Sequence, residues 1–169
     1  MSHTTLNAFG ALALVVADRM QEAMASVAGH GASGPAALVA LDGLAGGGSI
    51  DALRRLLGIT HSGTVRLVDR LADAGLVERR VGSDARTVSL HLTPPGRRTA
   101  RRVLAAREAA LEQVLAPLST AQRQELDSLL RSVFQGLEPT AESARRVCRL
   151  CDADRCGQAR GECPVTSRL

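Results

Sequence analysis

Residues 49–96 decide the fold, and they read SIDALRRLLGITHSGTVRLVDRLADAGLVERRVGSDARTVSLHLTPPG. Ser49 is a preferred capping residue in front of a helix over Ile50–Leu57, and Gly58 stands where the C-cap of that helix falls. Thr60 then begins a second helix with a new apolar stripe. Two helices joined by a turn of about three residues form a helix-turn-helix.

Two strands follow this helix pair directly. Residues 76–81 and 87–93 are rich in β-branched and apolar residues, and Val88, Leu90 and Leu92 alternate with polar neighbours. We therefore predict a hairpin whose turn is residues 82–85. Since a helix-turn-helix followed by a hairpin is a winged helix, we expect a mainly α fold with a small β wing.

Long amphipathic helices flank this segment on both sides. Apolar residues recur every three or four positions over residues 6–27, and a shorter helix begins at Ser33. We expect residues 94–96, which are Pro-Pro-Gly, to break the chain before two further helices, the first bounded by Pro117 and the second capped by Ser119. The terminal helices have narrow apolar faces, so we expect them to pair with the same helices of a second copy; packing on the chain's own winged helix is the alternative.

These patterns divide the chain into four parts. Residues 1–31 are a predicted N-terminal dimerisation helix, and residues 32–96 are a winged helix-turn-helix domain for DNA binding. Residues 97–138 are predicted C-terminal dimerisation helices, and residues 139–169 are a cysteine-rich, cofactor-binding tail. The apolar run over residues 8–17 is too short to cross a bilayer, so we expect no membrane partner and a cytoplasmic location.

The charge of the chain is concentrated in its middle. The 169 residues include 21 basic and 17 acidic side chains, and every basic residue is Arg, which excludes Schiff-base lysine chemistry and a Walker P-loop. Residues 54–102 hold eleven Arg against four acidic residues. This asymmetry is typical of a surface that faces nucleic acid, and a solvated Arg-rich surface is the alternative.

The runs at residues 53–71, 74–79, 84–86 and 92–96 resemble the MarR family of dimeric winged helix-turn-helix transcriptional regulators. The resemblance extends over roughly residues 6–138. It implies a homodimer without enzymatic activity that binds double-stranded operator DNA, most often as a repressor, and that responds to a small-molecule effector or to cysteine oxidation. It places the helix after Thr60 in the major groove and the hairpin tip at the minor groove.

The predicted DNA-contacting residues lie on the early turns of that helix and at the tip of the wing. They are Thr60, His61, Ser62, Thr64, Val65, Arg66, Arg70, Asp84 and Arg86. Arg66 can offer a bidentate pair to guanine, whereas Arg70 is better placed for phosphate. The resemblance implies that Asp84 orients Arg86 toward the minor groove, and an ordinary turn ion pair is the alternative.

All four cysteines lie in the tail, with the spacing Cys148-x2-Cys151-x4-Cys156-x6-Cys163. Since this segment has few apolar residues, we expect it to fold around a metal centre held by the four thiolates and not by burial. An iron–sulfur cluster is the preferred cofactor, because Cys163 is followed by Pro as in ferredoxin motifs. Structural zinc and reversible thiol–disulfide exchange are the alternatives.

The sequence therefore predicts a transcriptional regulator whose operator binding is tuned by an iron–sulfur cluster that acts as a redox or iron sensor. The hypothesis places the tail next to the last dimer helix, where it changes the spacing of the two recognition helices. The same regulator with a zinc site or a disulfide switch is one alternative. A redox or electron-transfer protein is the alternative from another class, although the four His are too scattered to support a catalytic or metal-binding constellation.

Overall fold

The computed structural model describes residues 2–43, 47–81, 88–137, 140–152 and 155–165. The helices and strands follow one another as α1 (His3–Ala28), α2 (Gly34–Asp42), α3 (Ile50–Leu57), α4 (His61–Asp73), β1 (Val77–Val81), β2 (Val88–Leu92), α5 (Pro94–Leu115), α6 (Thr120–Leu137) and α7 (Ala141–Val147). Two short 3₁₀ turns, Cys148–Leu150 and Gln158–Arg160, come after α7. The predicted fold class, mainly α with a small β wing, is confirmed.

The helix-turn-helix has the predicted boundaries because capping residues fix them locally. The Ser49 hydroxyl accepts a hydrogen bond from the Ala52 amide at 3.0 Å. At the other end of α3, Gly58 adopts the left-handed conformation with φ +67°. The Thr60 hydroxyl accepts from the Gly63 amide at 3.1 Å and so caps α4. These bonds satisfy backbone groups that a helix end leaves without partners.

The wing is an antiparallel pair in which Val77 lies opposite Leu92 and Val81 lies opposite Val88. The segment before α3 adds to this sheet, because Gly48 and Leu90 exchange two backbone hydrogen bonds of 2.9 and 2.7 Å. The sequence pattern does not predict this additional segment beside β2. The predicted turn of the hairpin, residues 82–85, lies outside the described residues.

The core lies beneath the helix-turn-helix and fixes the position of α4. Its fully buried side chains come from four helices and the wing: they include Leu38, Leu53, Leu67, Val68, Leu71, Leu90 and Val103. Burial of each such side chain contributes about 1.5–3 kcal/mol. Helix α4 is therefore held by three apolar residues on one side, which leaves its other side free.

The predicted break at residues 94–96 is wrong, because α5 begins at Pro94. Proline lacks an amide hydrogen, but the first turn of a helix does not need one. The Thr93 hydroxyl accepts from the Gly96 amide at 3.1 Å and caps the helix. Gly96 is required here, since a Cβ at this position would lie 1.9 Å from the Leu76 carbonyl oxygen. The wing thus leads into α5 without a flexible joint.

The terminal helices carry more apolar surface than the chain itself buries. Helix α1 packs along α5 through its C-terminal half, where Met24 and Ala28 are buried. Its N-terminal half and α6 leave large apolar side chains exposed: Leu6, Phe9, Leu12, Leu14, Val15, Leu129, Leu130, Val133 and Leu137. No residue of α6, all of which is described, is buried. None of the described helices is long and apolar enough to span a membrane.

The tail folds partly by burial, contrary to the expectation from its composition. Thr140 caps α7, and Ala144 on this helix is only 2% exposed. Helix α7 packs against α3, the first 3₁₀ turn packs against α2, and Leu150 joins the main core. These contacts were not predicted because the partners of Ala144 and Leu150 lie far away in the sequence. The tail also reaches α6, where the Arg131 guanidinium donates to the Glu162 carbonyl at 3.0 Å.

Candidate nucleic-acid interface and cysteine site

Helix α4 divides its residues between the core and the surface. Leu67, Val68 and Leu71 are buried, and the opposite face presents the exposed side chains of His61, Ser62, Arg66 and Arg70. Val65 is half-buried at the edge of this face. The Asp69 carboxylate accepts from the Arg79 guanidinium at 2.5 Å and ties the helix to β1. The exposed face therefore belongs to a helix that is held in place by its buried residues and by the bond between Asp69 and β1.

One of the predicted DNA-contacting residues lies in the core. Thr64 is fully buried, and its hydroxyl donates to the Thr60 carbonyl at 2.9 Å. The prediction that Thr64 contacts DNA is therefore wrong, because its side chain faces the core. Thr60 is exposed and its hydroxyl caps α4, which leaves the hydroxyl hydrogen free to bond elsewhere, so its contact with DNA stays a prediction. Asp84 and Arg86 lie outside the described residues.

The arginines of the basic segment differ in whether an acid neutralises them. Asp51 forms ion pairs with Arg54 and Arg55 at 2.9 and 2.8 Å. The hydrogen bond from Arg54 lowers the pKa of the Asp51 carboxyl. Arg97 donates to the Leu92 carbonyl at 2.8 Å. Within the described part of the chain no ion pair is made by the exposed residues Arg66, Arg70, Arg98, Arg101 and Arg102. These five cations are available to an external polyanion.

The tail contacts the helix-turn-helix at its turn. The Arg146 guanidinium of α7 lies over Gly58, so closely that a Cβ at Gly58 would be 2.6 Å from Arg146 Nη2. Gly58 ends α3, and α4 begins three residues later. A second contact joins Arg155 of the tail to Glu108 of α5 at 2.7 Å. The sequence offered no signal for these contacts beyond the abundance of arginine in the tail.

None of the four cysteines, all of which belong to the described part of the chain, forms a disulfide. The Cys151 amide donates to the Cys148 carbonyl at 2.9 Å within the first 3₁₀ turn, which brings the Cys-x2-Cys pair together. Cys163 is 5% exposed, and the other three thiols are half-buried. Gly157 and Gly161, both left-handed, allow the chain to fold back between Cys156 and Cys163. The backbone bond thus joins the predicted ligands Cys148 and Cys151, while a ligand set of all four cysteines stays a prediction.

Burial and neighbouring charges change the pKa of two of the thiols. Burial raises the pKa of Cys148 to about 12, and the negative charges of Cys151, Cys163 and Cys156 act in the same direction. Burial also raises the pKa of Cys151, whereas the positive charge of Arg107 lowers it. Among the described residues, no three His, Cys, Asp or Glu side chains already stand at metal-ligating geometry. Metal binding would therefore require the sulfur atoms to move closer together.

A cavity of about 740 Å³ separates part of the tail from the winged helix domain. Cys148 and Cys151 line one side of it, and Leu56, Leu104 and Arg101 line the other. Both thiols of the close pair are therefore accessible from a partly apolar space that opens between α3, α5 and the tail.

Comparison with known proteins agrees with this geometry. Residues 34–87 match the sequence profile of the MarR family. The transcriptional repressor MprA of Escherichia coli is 31% identical over 83 residues, which is 48% of this chain and 47% of that protein. The chain spans about half the length of the curated relatives it matches.

The similarity to solved structures extends over more of the chain than the similarity to MprA. A probable transcriptional regulator from Pseudomonas aeruginosa is 30% identical, with a TM-score of 0.55 over 74% of this chain and 96% of that one. A MarR family protein from Bacillus stearothermophilus is 25% identical, with a TM-score of 0.63 over 82% of this chain and 99% of that one. The similarity thus extends beyond the residues of the family profile to the flanking helices.

Proposed function

Since residues 34–87, which include the helix-turn-helix and the first strand of the wing, belong to the MarR family, we propose that the chain is a homodimeric DNA-binding transcriptional regulator, a repressor. Its operator binding is tuned by a cofactor on the four cysteines. The observation that carries the DNA-binding part is the exposed face of α4. It combines polar groups at the N-terminal end of a rigid helix with two arginines that no acid in the described residues neutralises.

Each residue of this face has a distinct part in the proposal. His61, Ser62 and Val65 meet base edges in the major groove, and Arg66 donates two hydrogen bonds to a guanine. Arg70 lies about one turn further along and contacts phosphate. Thr60 contributes by capping the helix. At the wing, Arg86 enters the minor groove with Asp84 as its orienting acid, in line with the resemblance to the family.

Alanine variants of the two arginines test this assignment. Loss of a bidentate guanine contact in Arg66→Ala removes about 1–3 kcal/mol of discrimination at one base pair. Arg70→Ala weakens binding to all sequences alike and reduces the salt-dependence slope by about 1. Arg19→Ala, which removes an exposed charge from α1, is the matched control. Equal behaviour of all three variants in operator titrations over a range of salt concentrations would exclude α4 as the reading helix.

The apolar surfaces of α1 and α6 support the homodimer. An isolated subunit would leave Phe9 and Leu137 about two-thirds exposed, together with the other side chains of these two helices. Monomeric proteins seldom leave large contiguous apolar patches in water. A symmetric dimer through these helices covers them and places two α4 helices about one turn of DNA apart, roughly 34–36 Å.

The tail supplies the sensor in this proposal. The four cysteines are buried or half-buried and form no disulfide, and α7, which leads into them, contacts the turn of the helix-turn-helix through Arg146. When bound, an iron–sulfur cluster or a zinc ion would supply the tail with a charged, cross-linking centre. Loss of that centre would free α7, and thereby change the support of α3 and α4. This route adds to the one expected from the sequence, in which the tail lies next to the last dimer helix and changes the spacing of the two recognition helices.

Protein purified without oxygen distinguishes the cofactors. Brown protein with iron and sulfide whose operator affinity changes on oxidation supports the redox or iron sensor. Colourless protein with one zinc per chain and redox-independent binding supports a structural site, with a small-molecule effector in the 740 Å³ cavity as the remaining signal. A metal-free protein that responds to oxidant supports the disulfide switch. A redox couple without any DNA binding would favour an electron-transfer protein.

A further inference from the structure

The cavity between the tail and the winged helix domain has the size and the apolar lining of a site for a small organic molecule. Its volume is about 740 Å³, and sites for such molecules typically measure about 300–1,000 Å³. On the side of the domain its apolar lining consists of Val39, Ala40, Leu56 and Leu104. The cavity can therefore hold such a molecule and offers apolar contacts to its body.

The cations of the cavity come from both of its walls. Arg101 belongs to α5, whereas Arg145 and Arg149 belong to the tail. Arg101 and Arg145 are exposed, and neither forms an ion pair within the described ranges of the chain. The described lining holds two acidic side chains, Asp42 and Asp152, against these three arginines. The lining thus has an excess of positive charge.

A carboxylate fits this arrangement of charges. The guanidinium group of arginine is planar and donates paired N–H groups that match the two oxygen atoms of a carboxylate. An anion between α5 and the tail attracts the arginines of both walls and offsets the repulsion between their like charges. The apolar side chains offer no polar partner to the rest of the molecule, which favours a hydrocarbon body.

We propose that the cavity binds an amphipathic organic anion, a carboxylate on an apolar body, which Arg101 and Arg145 hold between α5 and the tail. The inference rests on the proposed function, since it gives the chemical class of the small-molecule effector placed in this cavity, and it needs no cofactor on the cysteines. The wall formed by residues 141–161 lies outside the segment 34–87 that matches the family profile.

The anion would act as a link between the two walls. Because it contacts the tail and the domain together, it favours the state in which the tail is docked. Helix α7 packs against α3, so the docked tail supports the first helix of the helix-turn-helix. Binding of the anion is thereby coupled to the part of the domain that positions α4.

Decanoate is the probe, because it carries one carboxylate on a flexible apolar chain. Isothermal titration calorimetry of the full chain measures its Kd. Acetate, which lacks the apolar chain, and decyltrimethylammonium, which has the same chain with the opposite charge, are the reference compounds. We expect decanoate to bind about tenfold or more tightly than either compound, since only decanoate satisfies both the arginines and the apolar lining.

Four variants locate the binding site. Arg101→Gln and Arg145→Gln should each raise the Kd of decanoate about three- to tenfold, because an exposed ion pair contributes less than a buried one. Gln158→Glu, which adds a negative charge to the lining at almost unchanged volume, should also weaken binding. Arg102→Gln is the matched control: Arg102 is an exposed arginine of α5 and is not among the described residues that line the cavity. Its affinity for decanoate should equal that of the wild type.

Hydrogen exchange tests the link itself. Decanoate should slow the exchange of amides in α7 (Ala141–Val147). At equal occupancy by decanoate the effect should be smaller in Arg101→Gln, because this substitution removes the contact on the side of the domain. Unchanged exchange in α7 of the wild type would overturn the link.

Equal affinity of decanoate for the wild type and the three cavity variants would overturn the inference, because the anion would then bind elsewhere, for example on the exposed apolar face of α1. Equal binding of decyltrimethylammonium, or no binding of decanoate, would overturn it as well. Operator titration without these compounds tests the proposed function separately. A chain that binds operator but not decanoate loses this inference alone, whereas a chain that binds decanoate but no operator loses the proposed function and keeps the site.

Discussion

Replacement of Gly58 by alanine tests whether the tail rests on the helix-turn-helix. Gly58 has φ +67° and ψ 32°, a conformation that costs an ordinary L-residue about 1–2 kcal/mol. The added Cβ would also lie 2.6 Å from Arg146 Nη2 and 3.0 Å from its Cζ. Because Arg146 is exposed, its guanidinium can move away, and the contact between α7 and the turn would then be lost.

These two effects separate in a double-mutant cycle. In the wild-type background Gly58→Ala should cost the backbone strain plus the lost contact, whereas in Arg146→Ala it should cost the strain alone. For residues in direct contact we expect an interaction energy of about 0.5–1.5 kcal/mol, at the lower end of measured values because Arg146 is exposed. Urea unfolding of the four proteins at one fixed concentration measures it, since the proposed dimer makes stability depend on concentration.

A cycle that closes to within about 0.3 kcal/mol would show that Arg146 and Gly58 are independent. The proposed route from the cysteines to α4 would then have no energetic coupling between α7 and the turn. Ala144→Ser provides a check of the same docking, because it places a hydroxyl at a position only 2% exposed without a change at the turn.

Three further substitutions probe the core, the cap and the dimer. Leu38→Ala should lower the free energy of unfolding by about 2–5 kcal/mol because the side chain is fully buried, and chemical denaturation measures the loss. Thr60→Ala should cost about 0.5–2 kcal/mol and weaken operator binding, since α4 loses its cap; Thr60→Ser should retain most of both. Val133→Asp should convert the dimer to a monomer in light scattering, whereas Gln124→Asp, at an exposed polar position of α6, should not. A dimer that tolerates the Val133 change would move the interface away from α6.

Local signals account for what the sequence predicted well. Ser49, Gly58 and Thr60 determine the helix-turn-helix through bonds to residues within four positions, so their effect is visible in a short window. Thr93 acts in the same way, yet the sequence pattern of the proline pair beside it predicts a break. Prolines are tolerated in the first turn of a helix, so a proline pair can stand either before a helix or inside its first turn. The capping residue shows which of the two applies.

Long-range contacts account for what the sequence missed. Gly48 joins the wing through bonds to Leu90, and a glycine gives no alternating pattern that would predict a strand. Thr64 is polar but buried, because its hydroxyl is satisfied by the helix backbone and its methyl group packs inward. Helix α7 is too short to show a period, and Ala144 is buried by tertiary packing of α7, which includes its contact with α3.

The tail connects three parts of the chain that a regulator must coordinate. Arg131 joins it to α6, Glu108 joins it to α5, and Gly58 lies beneath Arg146 at the turn before α4. In the proposed function, a centre that draws the four thiols together would act on α6, on the helix after the wing and on the support of α4 at once. Because such coupling is reciprocal, operator DNA must change the affinity of the thiols for Zn²⁺ by the same factor by which Zn²⁺ changes the affinity for operator. Titration of Zn²⁺ with and without operator measures that factor, and a value of one in both directions would reduce the tail to a structural attachment.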